Sequence, residues 1–135
     1  MATTRSKLIK KLDKLFSIFI RTRDVDDTGH GECFTCHSRV FWKGADAGHF
    51  QSRGKYATRW NEDNVFLQCK RCNGFRGGEQ FLFSKELDAK FGAGKADELV
   101  YLSNQPSRYS IGHLEEMINH YKIEGDKQLH EKGLG

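Results

Sequence analysis

The sequence predicts a mostly helical α+β protein in which a small zinc-braced core lies between helices at either end. Three observations carry this. Cys33-Phe34-Thr35-Cys36 and Cys69-Lys70-Arg71-Cys72 repeat one spacing, and together they hold all 4 cysteines of the chain. Apolar residues recur at helical intervals over residues 5–21 and again beyond residue 79. Between those stretches lie short β-like runs and polar loops.

Each element follows from a local pattern. Over residues 5–21, Leu8, Leu12, Leu15 and Phe19 fall on one helical face with Ile9, Phe16 and Ile20 beside them, while Lys7, Lys10, Lys11 and Lys14 oppose them. This is the core of a basic amphipathic helix within residues 1–24. Residues 24–32 read as a polar loop. Residues 39–43 and 47–50 are short and β-like, on either side of Gly44. Residues 51–63 read as a long polar loop anchored by Tyr56 and Trp60. A helix is expected to begin near Cys69 to Asn73, and Gly74, Gly77 and Gly78 interrupt the pattern after it. Phe83, Leu87 and Phe91 define a helix over 79–91, with Gly92 as its C-terminal stop. Residues 95–103 form a short helix, Pro106 breaks the chain, and 110–123 is helical through Ile111, Leu114, Met117, Ile118 and Tyr121. Phe16, Phe19, Phe83 and Phe91 are expected in the core, and residues 125–135 are expected to fray. The layout is one domain: the basic helix, a core over 30–78, and a helical part over 79–124.

The length of 135 residues suits a single domain with a modest core. With 30% charged and 37% hydrophobic residues, that core is thin. No apolar run approaches the roughly 20 residues of a membrane span, and no signal peptide is evident, so a reducing cytosol is the expected location. There a paired Cys-x-x-Cys pattern reads as metal rather than disulfide. Two short brackets each aim two thiolates at one ion, so Cys33, Cys36, Cys69 and Cys72 are the expected ligands of a structural Zn²⁺, which compensates for the thin core. Cys33-Phe34-Thr35-Cys36-His37 also fits the attachment pattern of a c-type haem. That reading needs export and leaves the second pair idle.

The formal net charge is +4 and is unevenly spread. Residues 1–24 hold seven Lys and Arg against two Asp, and residues 49–78 hold Arg53, Lys55, Arg59, Lys70, Arg71 and Arg76 against Glu62 and Asp63. The other two segments are net acidic. A basic stripe beside a metal site suits a phosphate backbone, so these six residues are candidate DNA contacts.

The block Ala47-Gly48-His49-Phe50-Gln51-Ser52-Arg53-Gly54, then Ala57-Thr58-Arg59-Trp60-Asn61-Glu62-Asp63-Asn64-Val65 and Gln68-Cys69-Lys70-Arg71-Cys72-Asn73, resembles the phage NinG/Rap recombination family. More broadly it resembles HNH (ββα-metal) nucleases, and its Cys-x-x-Cys-Asn ending resembles phage endonuclease VII. The resemblance covers residues 33–78. It implies a ββα-metal core with His49 as general base and Asn64 as the middle Asn of the catalytic motif, which holds the loop and orients that base. It implies Asn73 as a ligand of a catalytic divalent ion and the four cysteines as a zinc knuckle. Many such nucleases carry an Asp immediately before the His. Here that position is Gly48, and Asp46 is the proposed substitute ligand. The implied substrate is branched DNA, such as Holliday junctions or D-loops in phage recombination. A junction has two symmetric scissile positions, which fits a homodimer.

The chemistry agrees. Phosphodiester hydrolysis needs a base, and a neutral imidazole with a pKa near 6.5 can take a proton from water at neutral pH. Mg²⁺ or Mn²⁺ stabilises the developing charge and accepts oxygen ligands such as a carboxylate and an Asn carbonyl. A Cys₄ zinc has no open position for that step, so two metals with separate duties are implied. His30, His37, His113, His120 and His130 read as ordinary surface or core residues. An Asn just inside a turn, as at Asn73, also commonly bonds backbone. The alternatives to a metal-dependent structure-specific endonuclease are a non-catalytic zinc-knuckle nucleic-acid-binding module and a zinc-braced interaction adaptor. The first is separated from both by cleavage in Mg²⁺, and the other two from each other by salt-dependent DNA binding.

Overall fold

The computed structural model describes residues 3–135; the first two residues of the expected basic helix lie outside it. Helix α1 (Thr4–Arg23) starts at Thr3, whose hydroxyl accepts from the Ser6 amide at 3.0 Å. That contact satisfies one of the free N–H groups of the first turn. Leu12, Phe16, Phe19 and Ile20 are buried along it.

Two antiparallel pairs of strands follow. Strand β1 (His30–Glu32) pairs with β2 (Arg39–Phe41), with Gly31 opposite Val40. A 3-10 turn at Trp42–Gly44 leads into β3 (Asp46–His49), which pairs with β4 (Val65–Gln68) so that His49 faces Val65 and Asp46 faces Gln68. Between β3 and β4 runs a loop containing the one-turn helix α2 (Tyr56–Arg59). Three helices complete the chain: α3 (Gln80–Phe91), α4 (Lys95–Ser103) and α5 (Ile111–Lys132). Among the described residues no helix is long and apolar enough to cross a membrane.

The core has three parts. Helices α1 and α5 pack Leu12, Phe16, Phe19 and Ile20 against Leu114, Ile118 and Tyr121, with Trp60 and Val65 closing the end. Phe83, Leu87, Ala96 and Leu99 of α3 and α4 enclose Phe50 and Phe66. Phe34, inside the first cysteine bracket, stacks on Phe66 with ring centroids 4.0 Å apart. Val25, Trp42, Ala45 and Leu67 form the third cluster. The β3–β4 pair thus has apolar support on several sides, which holds its polar side chains in place.

Several expectations are corrected. Residues 125–135 do not fray, because α5 continues to Lys132. The reason lies across the chain: Lys132 Nζ donates to the carbonyls of Thr22, Arg23 and Val25 at 2.7–2.9 Å, and Gln128 Nε2 donates to the Phe19 carbonyl. The open C-terminal carbonyls of α1 are satisfied by a cation, where the helix dipole favours one. The polar loop over 24–32 ends in β1, and residues 65–68, assigned no element from the sequence, form β4. The helix expected at Cys69–Asn73 is a single π-helical turn over Arg71–Phe75. Phe91 lies at the rim rather than in the core, 41% exposed.

Candidate functional site

The site begins with the cysteines. Cys33 and Cys36 lie in the turn between β1 and β2; Cys69 directly follows β4, and Cys72 lies in the π turn. Strand pairing brings the two brackets together, and all four sulfur atoms lie within 4.8 Å of one another. Cys36 Sγ and Cys69 Sγ are 3.8 Å apart. A tetrahedral ion with Zn–S bonds of about 2.3 Å places its sulfurs about 3.8 Å apart, so the donor set and its spacing fit zinc. The Cys72 amide and the Ser38 hydroxyl donate to Cys69 Sγ and Cys36 Sγ, as groups around bound thiolates do. The cysteines are free, with no disulfide.

Beside this cluster opens a cleft of about 940 Å³. Its walls bring together His49 and Asp46 from β3, Lys70 and Asn73 from the turn after β4, Arg53 from the long loop, and Asp13 and Arg21 from α1. Residues 60 positions apart in sequence share it because β3 and β4 are paired and α1 lies across them.

His49 Nε2 is 2.9 Å from the Arg59 carbonyl oxygen. A carbonyl only accepts, so Nε2 carries the hydrogen and Nδ1 of the neutral ring carries a lone pair. Burial disfavours the imidazolium and lowers the His49 pKa below its ordinary 6.5, with the nearby Arg53 adding to the effect. A neutral, oriented imidazole at neutral pH is the form a general base requires.

The Arg59 carbonyl is itself held in place. Arg59 Nε donates to Asp13 Oδ1 at 3.1 Å, a second Arg59 nitrogen bonds Asp13 Oδ2, and the Trp60 indole donates to Oδ1 at 3.0 Å. Asp13 on α1 therefore grips the loop on both sides of the peptide group that orients His49. Asn64 grips it from beneath. Fully buried, it accepts from the Gln51 amide through Oδ1 and donates through Nδ2 to the Gln51 and Thr58 carbonyls at 3.0 and 3.1 Å. It holds the loop and does not line the cleft.

Asp46 Oδ1 accepts from Lys70 Nζ at 2.8 Å, and Oδ2 accepts from Asn73 Nδ2 at 3.0 Å. Partial burial alone would raise this carboxyl group's pKa. The hydrogen bonds from Lys70 and Asn73, with the charges of Lys70 and Arg21, outweigh it and hold Asp46 below the usual carboxylate range. A carboxylate and a primary amide in contact on a cleft wall are hard oxygen donors of the kind Mg²⁺ or Mn²⁺ accepts.

Position 48 has no room for a side chain. A Cβ on Gly48 would lie 1.8 Å from Gln68 Oε1. Gln68 cannot simply swing aside: it is fully buried, and its Nε2 donates to Thr35 Oγ1 at 3.0 Å and the Gly78 carbonyl at 2.9 Å. Its Oε1 has no hydrogen-bond partner and points at the bare Cα of Gly48. Gln68 ties β4 to the first cysteine bracket and to the turn at Gly78, and excludes any side chain at 48.

The six basic candidates separate. Arg53 and Lys70 line the cleft, and Arg71 and Arg76 are exposed on the turn that follows β4. Lys55 is exposed outside the cleft and donates to Asn104 Oδ1 at 2.7 Å. Arg59 is corrected: its side chain is 12% exposed, bound to Asp13, and stacked over Tyr56 and Trp60, so it is a brace for the loop and is not free to take a phosphate. Sequence reasoning missed Asp13, Arg21, Lys43 and Gln68. Asp13 and Arg21 lie in a helix whose periodicity speaks only of packing, and no local pattern identifies which of its polar residues meet a cleft built elsewhere.

A family model described as "Bacteriophage Lambda NinG protein" matches residues 1–131. "Protein ninG" of Escherichia phage lambda is 32% identical over 98 residues, covering 70% of this chain and 45% of that protein. The chain thus spans about half the length of the curated relative it matches. No solved structure matches the chain.

Proposed function

The chain belongs to the NinG family, and from that premise we propose that it is a metal-dependent, structure-specific DNA endonuclease of the HNH type that cuts branched DNA. One observation carries the reading. The cleft joins a neutral histidine, oriented through Nε2, to an oxygen-donor pair and a set of cations, all beside a Cys₄ cluster.

The roles divide by chemistry. His49 Nδ1 takes the proton of the attacking water. Arg53 and Arg21 set a positive wall for the phosphate. Asp46 and Asn73, in contact on the cleft wall beside Lys70, would hold the divalent ion through a carboxylate and an amide oxygen. When bound, that ion supplies charge stabilisation for the pentacovalent phosphate and the leaving oxygen. The four cysteines would hold a structural zinc, which would tie the end of β4 and the π turn to the first bracket. The resemblance narrows the substrate to junctions and D-loops, and the two symmetric scissile positions of a junction fit a dimer of this chain.

The test is incubation with four-way junction, fork, duplex and single-stranded DNA, with Mg²⁺, Mn²⁺ or EDTA. Cleavage of junction DNA that requires the divalent ion is expected. His49→Ala should reduce it about 10²–10⁴-fold at unchanged zinc content and DNA affinity. Full activity of His49→Ala at matched zinc would overturn the reading.

A second reading, a non-catalytic DNA-binding module, draws on one observation: Asp46 is already neutralised by Lys70 at 2.8 Å. DNA binding with no cleavage under any divalent ion would favour it.

A further inference from the structure

Among the described residues the most exposed large apolar side chain is Phe75, at 94%. It stands at the end of the π turn, three residues past Cys72 and two past Asn73, with exposed Arg71 and Arg76 on the same turn. Such exposure is costly for a phenyl ring, and nothing in the turn's own packing requires it.

The turn that presents it is braced. The Arg76 amide donates to the Arg71 carbonyl at 3.0 Å, and the Gly78 amide donates to the Cys72 carbonyl at 2.7 Å. Gly77 and Gly78 take φ of +60° and +90°, a reversal that residues with side chains rarely adopt. The buried Gln68 amide holds the Gly78 carbonyl from below, and Cys72 roots the start of the turn in the cysteine cluster. The ring is therefore carried on a short, hydrogen-bonded projection rather than a loose loop.

We infer that Phe75 is a wedge that stacks on the base pair exposed at a DNA branch, with Arg71 and Arg76 on the flanking phosphates. The occupant follows from charge and shape. An exposed aromatic ring on the same turn as two exposed arginines matches a base flanked by phosphates. A branch point offers an unstacked base face without the cost of opening intact duplex, so the wedge discriminates branched from linear DNA. This rests on the nuclease reading and adds the element that would select the substrate structure.

The test uses zinc-loaded full-length protein and four-way junctions carrying 2-aminopurine beside the branch, in EDTA to prevent cutting. Wild type should change the 2-aminopurine fluorescence, and Phe75→Trp should keep that change. Phe75→Ala should lose it and bind the junction roughly 5- to 150-fold more weakly, the range for losing one stacked base. Affinity for linear duplex should hardly move. At 94% exposure the substitution leaves the core untouched, which zinc content and circular dichroism will verify. Wild-type cleavage of junctions, with Phe75→Ala matching it in affinity and fluorescence, would overturn the wedge alone and leave the projecting ring to a protein partner. Failure of wild type to bind or cut any DNA would overturn the nuclease reading and the wedge together.

Discussion

Replacing Gly48 by Ala adds one methyl group on β3, at the position where the resembled nucleases carry an Asp, and it should be destabilising. The new Cβ would lie 1.8 Å from Gln68 Oε1, 2.7 Å from its Cδ and 3.1 Å from its Cβ. Clearance at a flexible side-chain tip is ordinarily cheap, but Gln68 is fully buried and its Nε2 serves two acceptors. Keeping those bonds forces overpacking, at about 1–3 kcal/mol. Releasing them strands buried polar groups, at about 1–3 kcal/mol each. The cheaper of the two routes sets the expected cost at about 1–3 kcal/mol, against the roughly 5–15 kcal/mol that holds a domain folded. In a chain of 135 residues this lowers the unfolding midpoint by roughly 4–11 °C. The assay is thermal and urea unfolding at fixed, saturating zinc, since bound metal shifts the midpoint by mass action. Gly48→Ala combined with Gln68→Ala should cost less than the sum of the two single changes, because the clash is gone. A Gly48→Ala midpoint within 1 °C of wild type would refute the claim that Gln68 closes position 48.

Three further outcomes are expected. Burial lowers the His49 pKa below 6.5, so its contribution to stability is full above about pH 6.5 and is lost as pH falls through the folded value; cleavage should likewise hold from neutral pH to below 6.5 before declining, as a pH–rate profile at saturating Mg²⁺ will show. Asp13→Asn should leave Arg59 without its charged partner, costing about 2–4 kcal/mol after allowing for partial exposure; it should also lower junction cleavage in protein that remains folded, by loosening the carbonyl that orients His49. Chelation of zinc, or Cys72→Ser, should abolish cooperative unfolding, because structural zinc contributes on the order of 10 kcal/mol to small domains; elemental analysis should give one zinc per chain.

How much was legible in advance divides along the physics of range. The terminal helices, Gly92 as a stop and the pairing of the two cysteine brackets around one point depend on spacing along the chain. These could be written down from the sequence. The strand β4 was not assigned, because Val65–Gln68 is buried on both faces and shows no alternation. The C-terminal turns looked polar enough to fray, yet Gln128 and Lys132 find partners more than 100 residues away. Arg59 looked like a phosphate contact until Asp13, 46 residues distant, was seen to hold it. What the sequence determined by itself was the set of candidates: cysteines at matched spacing and, through the family resemblance, His49, Asp46 and Asn73. Only the tertiary structure decided which cations face the cleft, which brace the loop, and why position 48 has no side chain, because those answers depend on packing between segments that no local pattern encodes.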